Sequence, residues 1–374
     1  LALCTSNMDA PEIKLPGENF NTVLYTGNSS TQSITGAGFK PDTIWIKNRE
    51  ITENNFIASS VQDANGNKYL YTNNDGTEGD RADGVTSIDS DGFSLGDWDN
   101  NNYTGDGNVS WLWKAGGVPT ATNVATTGVM TSGSVFQDGV SNTSFTPGST
   151  IYPDKISANR TNGFSVVQFT GNATADQTVA HGLSQAPSLL IFKRTGGTDD
   201  WRVGSDAMGW TGGEYLALNT TAAEATNTSY WDTAPTATVF ETSDSSSTNA
   251  TDGMIVYCFH SVEGYSKIDS FTGNADADGA FVYTGFRPAY VLIKRISGST
   301  ENWGVFDNKR DGYQPENFDL RPNLNNAEGA DEDVLDLLSN GFKMRSTSGG
   351  FGGAVSPYLY YAVAAYPFKY ANAR

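Results

Sequence analysis

The run Val23-Leu24-Tyr25-Thr26-Gly27-Asn28 returns as Val167-Gln168-Phe169-Thr170-Gly171-Asn172 and again as Asp269-Ser270-Phe271-Thr272-Gly273-Asn274. A phrase recurring at intervals of roughly 100 residues or more marks one structural unit used repeatedly, and this constrains the fold more than any local propensity. Each occurrence reads as an extended strand entering a tight turn. Further on, Gly38-Phe39-Lys40-Pro41 leads into Ile44-Trp45-Ile46-Lys47-Asn48-Arg49, and Gly285-Phe286-Arg287-Pro288 leads into Val291-Leu292-Ile293-Lys294-Arg295. The middle copy is looser, with Gly182-Leu183, a longer spacer, Pro187 and then Leu189-Leu190-Ile191-Phe192-Lys193-Arg194. Proline is tolerated at a strand entrance, where no ladder donor is needed. Phe56, Trp201 and Trp303 follow at similar spacing, then Tyr69-Leu70, Tyr215-Leu216 and Phe318. Asp91-Gly92-Phe93 is echoed by Asn340-Gly341-Phe342, and in the middle copy only by Val239-Phe240. Each unit closes on a run that is apolar on both faces, Val109 to Trp113, Met254 to Phe259 and Tyr358 to Val363, which suits a strand in the middle of a sandwich.

The fold expected is all-β, three tandem β-sandwich repeats of jelly-roll-like type at 20–116, 162–263 and 264–374, preceded by a linker over 1–19. The 41 glycines, with Asn, Ser and Thr crowded between short apolar runs, supply the turns that such a chain requires. Residues 117–161 are too long for a bare loop, so a hairpin or a clasp on a neighbour is expected there. One helix is expected, from Asp331 to Leu338, with acids in its first turn and Asn340-Gly341 as its stop. Positions common to the three copies are assigned to scaffold, and function to the places where the copies differ.

The net charge of −19 repels phosphate backbones and anionic headgroups, so nucleic acid and membrane insertion are set aside as partners. No apolar stretch approaches the ~20 residues of a spanning helix, and the first twenty residues lack the pattern of a signal peptide. Leu1-Ala2-Leu3-Cys4 is near a lipoprotein cleavage site in wording, but Leu3 stands where a small residue is needed. The chain opens without Met inside the linker, which reads as a processed protein or the tail of a longer one. Two cysteines, Cys4 and Cys258, are too few for a disulfide framework or a four-ligand zinc site.

The repeated phrase, the opening Cys4-Thr5 to Pro11-Glu12-Ile13-Lys14, the Asp-Ser-Asp-Gly-Phe-Ser-Leu-Gly stretch at 89–96 and Trp111-Leu112-Trp113-Lys114-Ala115-Gly116 together resemble an uncharacterised domain family of marine bacteriophages, over nearly the whole chain. The resemblance implies a virion or tail-associated protein and brings no catalytic residues with it. It also implies a lectin-like sandwich upstream in some members. On this reading the chain is a structural component of a tailed-phage particle (tail, neck or capsid decoration), located in the virion, homo-oligomeric and docked on other virion proteins. The alternative is a receptor-binding module of a tail fibre that grips host surface glycans.

Catalytic chemistry has few starting points. His181 and His260 are the only histidines, Ser184 beside the first reads as a turn residue, and Cys258 and His260 share a strand face as a buried thiol beside a satisfied imidazole. A glycosidase needs only two carboxylates, but most acids here lie in Asn/Gly-rich turns. The repeat is also far longer than the rungs of a β-helical depolymerase. No enzyme and no cofactor are therefore expected, with Ca²⁺ the one candidate ion. Asn274-Ala275-Asp276-Ala277-Asp278-Gly279 follows half of a calcium loop, but Gly285 stands where a bidentate Glu is required, so it is no EF-hand. Asp276 and Asp278 remain metal candidates, as do Asp89 and Asp91, which with Asp97 and Asp99 form a second acidic cluster. For glycans the candidates are aromatics found in one copy only: Trp98 and Tyr103 with Asp97, Asp99 and Asn100 to Asn102, then Trp210, Tyr230-Trp231 and Tyr313. Exposed rings stack on sugar faces while Asp and Asn accept hydroxyl protons.

Overall fold

The computed structural model describes residues 10–311, 318–329 and 334–370, and these are almost entirely β. The first repeat supplies β1 (Phe20–Thr26), β2 (Gln32–Thr35), β3 (Thr43–Asn48), β4 (Phe56–Ser59) and β5 (Lys68–Tyr71). It continues through β6 (Gly79–Asp80), β7 (Val85–Asp89), β8 (Gly92–Leu95), the single-turn helix α1 (Asp99–Asn102) and β9 (Gly107–Trp113). The insert forms β10 (Val135–Gln137), β11 (Val140–Ser141) and β12 (Lys155–Asn159). The second repeat contains β13 (Phe164–Phe169), β14 (Gln177–Ala180), β15 (Leu189–Arg194), β16 (Arg202–Ser205) and β17 (Glu214–Ala217). After these come β18 (Ala225–Thr226), β19 (Val239–Thr242), α2 (Ser246–Asn249) and β20 (Met254–Phe259). The third contains β21 (Ser266–Thr272), β22 (Phe281–Tyr283), β23 (Phe286–Arg295), β24 (Gly304–Asp307), β25 (Leu335–Leu338), β26 (Gly341–Met344) and β27 (Pro357–Pro367).

Each repeat divides its strands between a larger and a smaller sheet. The larger sheets run β1-β9-β3-β4-β5-β6, β13-β20-β15-β16-β17-β18 and β21-β27-β23-β24, so one order is used three times. The smaller sheets are β2-β8-β7, β14-β19 and β22-β26-β25. In the first repeat β1 pairs with the last strand and β2 with the one before it, a nested wind of jelly-roll type. From β3 to β6 the chain departs from that wind as a simple meander. The insert joins the second repeat: β12 lies antiparallel to β13 and carries the β10–β11 hairpin beside it. It also reaches back to the first repeat, where Lys155 Nζ donates to the Val61 carbonyl at 3.1 Å and Ser157 Oγ accepts from Gly116 N at 2.9 Å.

The double-sided apolar strands have a cause that lies outside any one sandwich. Along β3, β15 and β23, alternate residues face opposite ways, as the pleat requires. Ile44 and Ile46, Leu190 and Phe192, and Val291 and Ile293 turn into the core of their own sandwich. Trp45, Ile191 and Leu292 turn the other way, into one core shared by all three repeats. The closing strands behave alike: Trp111, Tyr257 and Tyr361 point to the common core, and Leu112, Cys258 and Ala362 point to the private ones. Each buried large side chain on that second face contributes roughly 1.5–3 kcal/mol, so the three larger sheets hold one another together. The centre keeps only a cavity of about 30 Å³, lined by apolar side chains from every repeat.

The rim of this core is stitched head to tail. In the second repeat Trp201 Nε1 donates to the Tyr71 carbonyl of the first at 2.9 Å, and in the third Trp303 Nε1 donates to the Ala217 carbonyl of the second at 2.9 Å. Asn55 of the first closes the ring, donating to the Arg321 and Leu324 carbonyls of the third at 3.3 and 2.6 Å. Backbone bonds repeat the sequence of contacts, Glu78 N to Thr195 O, Glu224 N to Ile296 O and Glu328 N to Arg49 O, at 2.9, 2.8 and 2.9 Å. The basic residues that end the repeated strand sit at these junctions. Lys193 Nζ reaches Asp75 O at 3.0 Å and Lys294 Nζ reaches Thr221 O at 3.1 Å, both across a boundary, whereas Lys47 bonds Asn48 O and Ile51 O of its own repeat. Burial drives the pKa of all three lysines down to about 8.

Three expectations change. The helix expected over Asp331–Leu338 is replaced in its described part by strand β25, because Leu335 and Leu337 alternate onto the third core while Asp336 between them pairs with Arg345; residues 331–333 lie outside the described residues. Asn340 lies in the two-residue turn Ser339-Asn340 of the β25–β26 hairpin and Gly341 opens β26 opposite Leu338, so the pair is not a helix stop. The residue matching Trp201 and Trp303 is Asn55, since each immediately precedes the strand after the Lys-ended one; Phe56 is the first residue of β4.

Candidate functional site

The Thr-Gly-Asn phrase builds the same corner in each repeat. A side chain at Gly27 would lie 2.1 Å from the Tyr103 carbonyl oxygen, at Gly171 2.4 Å from Asn249, and at Gly273 2.3 Å from the Ala354 carbonyl oxygen, so only glycine allows the approach. The next residue is clamped by the short helix. Asn102 Oδ1 accepts from Asn28 N at 2.9 Å, and Asn249 Oδ1 accepts from Asn172 N at 2.8 Å. Asn102 Nδ2 and Asn249 Nδ2 then donate to the Ser30 and Thr174 carbonyls. Asn100, Asn101 and Asn102 are buried, so the three asparagines placed with the glycan candidates face inward, and Asn102 is scaffold with a counterpart in the second repeat.

The two aromatics expected to act together flank this helix. Trp98 precedes α1 and Tyr103 follows it. Trp98 is half-buried against Tyr69 and Phe56, at ring separations of 5.0 and 5.9 Å, with the Arg81 guanidinium 4.8 Å above its ring. Tyr103 is 45% exposed. Asp97 and Asp99 flank Trp98 and are exposed. Of the other single-copy aromatics, Trp210, Tyr230 and Trp231 are buried in the second sandwich, where they fill its core and present no ring to solvent; Tyr313 lies outside the described residues.

The acidic candidates are used by the local backbone, by serine hydroxyls or by basic side chains. Asp91 Oδ2 and Oδ1 accept from Gly36 N and Gly38 N at 3.1 and 2.6 Å, closing the turn before β3. Asp89 accepts from Ser87 and Ser94 hydroxyls at 2.9 and 2.7 Å. Asp276 Oδ1 accepts from Asp278 N at 2.9 Å, and the Asp278 carboxylate is paired with Lys343 and, at 3.6 Å, with Arg345.

The histidines and Cys258 are buried, but the imidazole of His260 is not fully satisfied as expected, its Nε2 having no hydrogen-bond partner among the described residues. His181 Nδ1 accepts from Leu183 N at 3.2 Å and its Nε2 faces the Thr236 carbonyl at 3.2 Å, which describes one neutral tautomer. Burial pushes its pKa down to about 4. His260 donates through Nδ1 to the Ser261 carbonyl at 3.0 Å, and burial lowers its pKa as well. Cys258 is a buried free thiol in the second core, its pKa raised by burial, while Cys4 lies outside the described residues.

One cluster was passed over in the sequence. An oxygen of Asp176, one of Asp232 and one of Glu241 lie within 4.8 Å of one another. These residues come from the turn before β14, the loop after Trp231 and the middle of β19, and only the β14–β19 pairing joins them. No spacing in the sequence announces the group. Its one legible signal is an acid directly after the core Phe240, where the first repeat has Ser94 after Phe93 and the third Lys343 after Phe342.

Comparisons with curated proteins and with solved structures gave no match. Among the described residues no helix is long and apolar enough to cross a membrane, which leaves strands unaddressed. A family model does match, over residues 15–367, which takes in all three repeats and the insert, and so the chain belongs to the family described as a domain of unknown function, DUF7483.

Proposed function

We propose that this chain is an architectural component of a tailed-bacteriophage particle, present in multiple copies and docked on other virion proteins. The observation that carries the reading is the closed ring of three sandwiches around one shared core. A single chain here has the layout of a trimer, and its largest aromatic side chains are spent on joining the repeats: Tyr290 packs on Phe20, Trp111 and Trp113, and Phe259 on Tyr361. A centre holding about 30 Å³ has no room for a substrate, and the ring has the rigidity expected of a building block. The resemblance to a domain family of marine bacteriophages is what supports placing it in a phage particle. The insert offers the contact segment, for it exposes Val124, Val129 and Val140 at 83%, 50% and 66%.

The test is sedimentation of particles from cells infected with a phage that encodes the chain, followed by quantitative peptide mass spectrometry and antibody labelling in the electron microscope. The chain is expected to band with intact particles at several copies each. Its recovery only from the soluble lysate would overturn the reading. A label confined to fibre tips would shift it to the glycan-binding adhesin, although the engaged ring of Trp98 gives that alternative less support.

A further inference from the structure

We infer that Asp176, Asp232 and Glu241 form a Ca²⁺ site that pins two outer loops of the second repeat together. Three carboxylates converge within 4.8 Å, and among the described residues none of them has an ion pair with a Lys, Arg or His. The second observation concerns the buried member of the cluster. Glu241 is only 7% exposed; its Oε2 accepts from Thr233 N at 2.8 Å and from the Thr233 hydroxyl, while its Oε1 is buried with no hydrogen-bond partner. A buried carboxylate with an unsatisfied oxygen, on a residue that converges with two further acids, is what a bound cation resolves.

The neighbouring repeat shows how the same place is neutralised when the chain supplies its own cation. Strands β19 and β26 correspond, and the residue after the core phenylalanine is Glu241 in one and Lys343 in the other. Counting from the shared Gly-Asn, Asp176 and Asp278 occupy the same place in the turn. In the third repeat the Lys343 ammonium meets Asp278. In the second, Glu241 replaces the ammonium and Asp232 adds another carboxylate, so the positive charge must come from outside. The first repeat has Ser94 there, bonded to Ser33 at 3.0 Å, and needs none.

The donors are all hard oxygens, with no histidine or thiol, which excludes a zinc-type set. Asp176 and Asp232 are exposed, leaving room for the waters and carbonyls that complete the six to eight ligands of Ca²⁺. Mg²⁺ demands a near-ideal octahedron that carboxylates on two loops and one strand do not impose.

The test uses the full chain, stripped with EDTA and titrated with TbCl₃ while the indoles are excited, since Trp231 lies directly before Asp232. Sensitised emission is expected to saturate at one ion per chain and to be displaced by CaCl₂ at concentrations where MgCl₂ fails. CaCl₂ at about a hundredfold over its Kd should also raise the melting temperature by roughly 2 °C or more. The Asp176→Asn and Asp232→Asn double variant alters exposed side chains and is expected to fold, with affinity at least tenfold lower. Glu241→Gln tests the buried ligand directly. No saturable emission from the parent chain, or equal emission from the double variant, overturns the site, and equal displacement by MgCl₂ overturns its assignment to Ca²⁺.

Discussion

Replacing Trp303 by Ala tests whether the three repeats form one body. Trp303 is 1% exposed in the shared core, and its Nε1 donates to the Ala217 carbonyl of the neighbouring repeat. Truncating a buried tryptophan costs about 3–5 kcal/mol through lost transfer energy and the cavity left behind. The indole bond adds about 1 kcal/mol, because the Ala217 carbonyl loses a partner at a buried seam. The sum, about 4–6 kcal/mol, is a large fraction of the ~5–15 kcal/mol that holds most folded domains. Urea denaturation followed by near-ultraviolet circular dichroism and tryptophan fluorescence measures it. A shared core predicts one transition that moves as a whole to lower urea. Trp303→Phe, which keeps a ring and loses the donor, should retain much of the stability. The reasoning fails if Trp303→Ala loses less than about 1 kcal/mol, or if it splits the transition and leaves two repeats unfolding at the original midpoint.

The buried lysines give a pH signature. Their folded pKa of about 8 lies below the unfolded value of about 10.4, so between those values the unfolded chain binds more protons and stability rises with pH, by at most about 3 kcal/mol per lysine. Above about pH 10 the buried tyrosines, such as Tyr257 and Tyr290 with pKa values raised by burial, reverse the trend, and a urea midpoint that stays flat or falls from pH 8 to 9.5 would contradict the assignment. Gly171→Ala should cost about 1–3 kcal/mol, since its Cβ would meet the Asn249 backbone at 2.4 Å, while Gly17→Ala, with nothing within 4 Å, should stay within about 0.5 kcal/mol; equal melting temperatures would show that the corner yields. Trp98→Ala should lower thermal stability and Tyr103→Ala should not, because only the first ring is packed; a glycan array on which both variants lose the same binding would restore the joint role of the two rings.

The repeat, its turn glycines and its Lys-ended strands were legible because they depend on local chemistry that recurs. The double-sided runs were legible as buried strands, but a continuous apolar run says only that both faces are covered, not by what. Trp45, Ile191 and Leu292 look like ordinary sandwich residues until the three sheets meet. The same limit applies at the rim. Trp98 and Tyr103 are close in sequence, yet one ring packs on Tyr69 and Phe56 and the other is exposed, whereas Asp176 and Glu241 are far apart in sequence and are joined by a strand pair. At Leu335 to Leu338 the acids and the following Asn-Gly satisfy helix rules as well as hairpin rules, and the alternate burial of Leu335 and Leu337 decides for strand. Surface aromatics misled for a related reason: Trp210, Tyr230 and Trp231 sit among polar residues in the chain, but the second sandwich has a two-stranded small sheet and these rings complete its core.

Carrying three copies in one chain has a consequence that a trimer of identical chains cannot share. In a homotrimer every position appears three times, so an acid at the rim is repeated around the axis. Here the inward faces keep equivalent roles, with indole or amide donors linking each repeat to the next, while the outward position after the core phenylalanine is Ser94, Glu241 or Lys343. Among the described residues the insert sits at the junction of the first and second repeats. Packing therefore constrains the core to near-threefold form, but no equivalent constraint acts on the rim, where a substitution in one repeat leaves the other two unchanged. A partner that docks on the exposed valines of the insert meets one such surface per ring, so the contact has a stoichiometry of one per chain although the core it rests on has three equivalent sides.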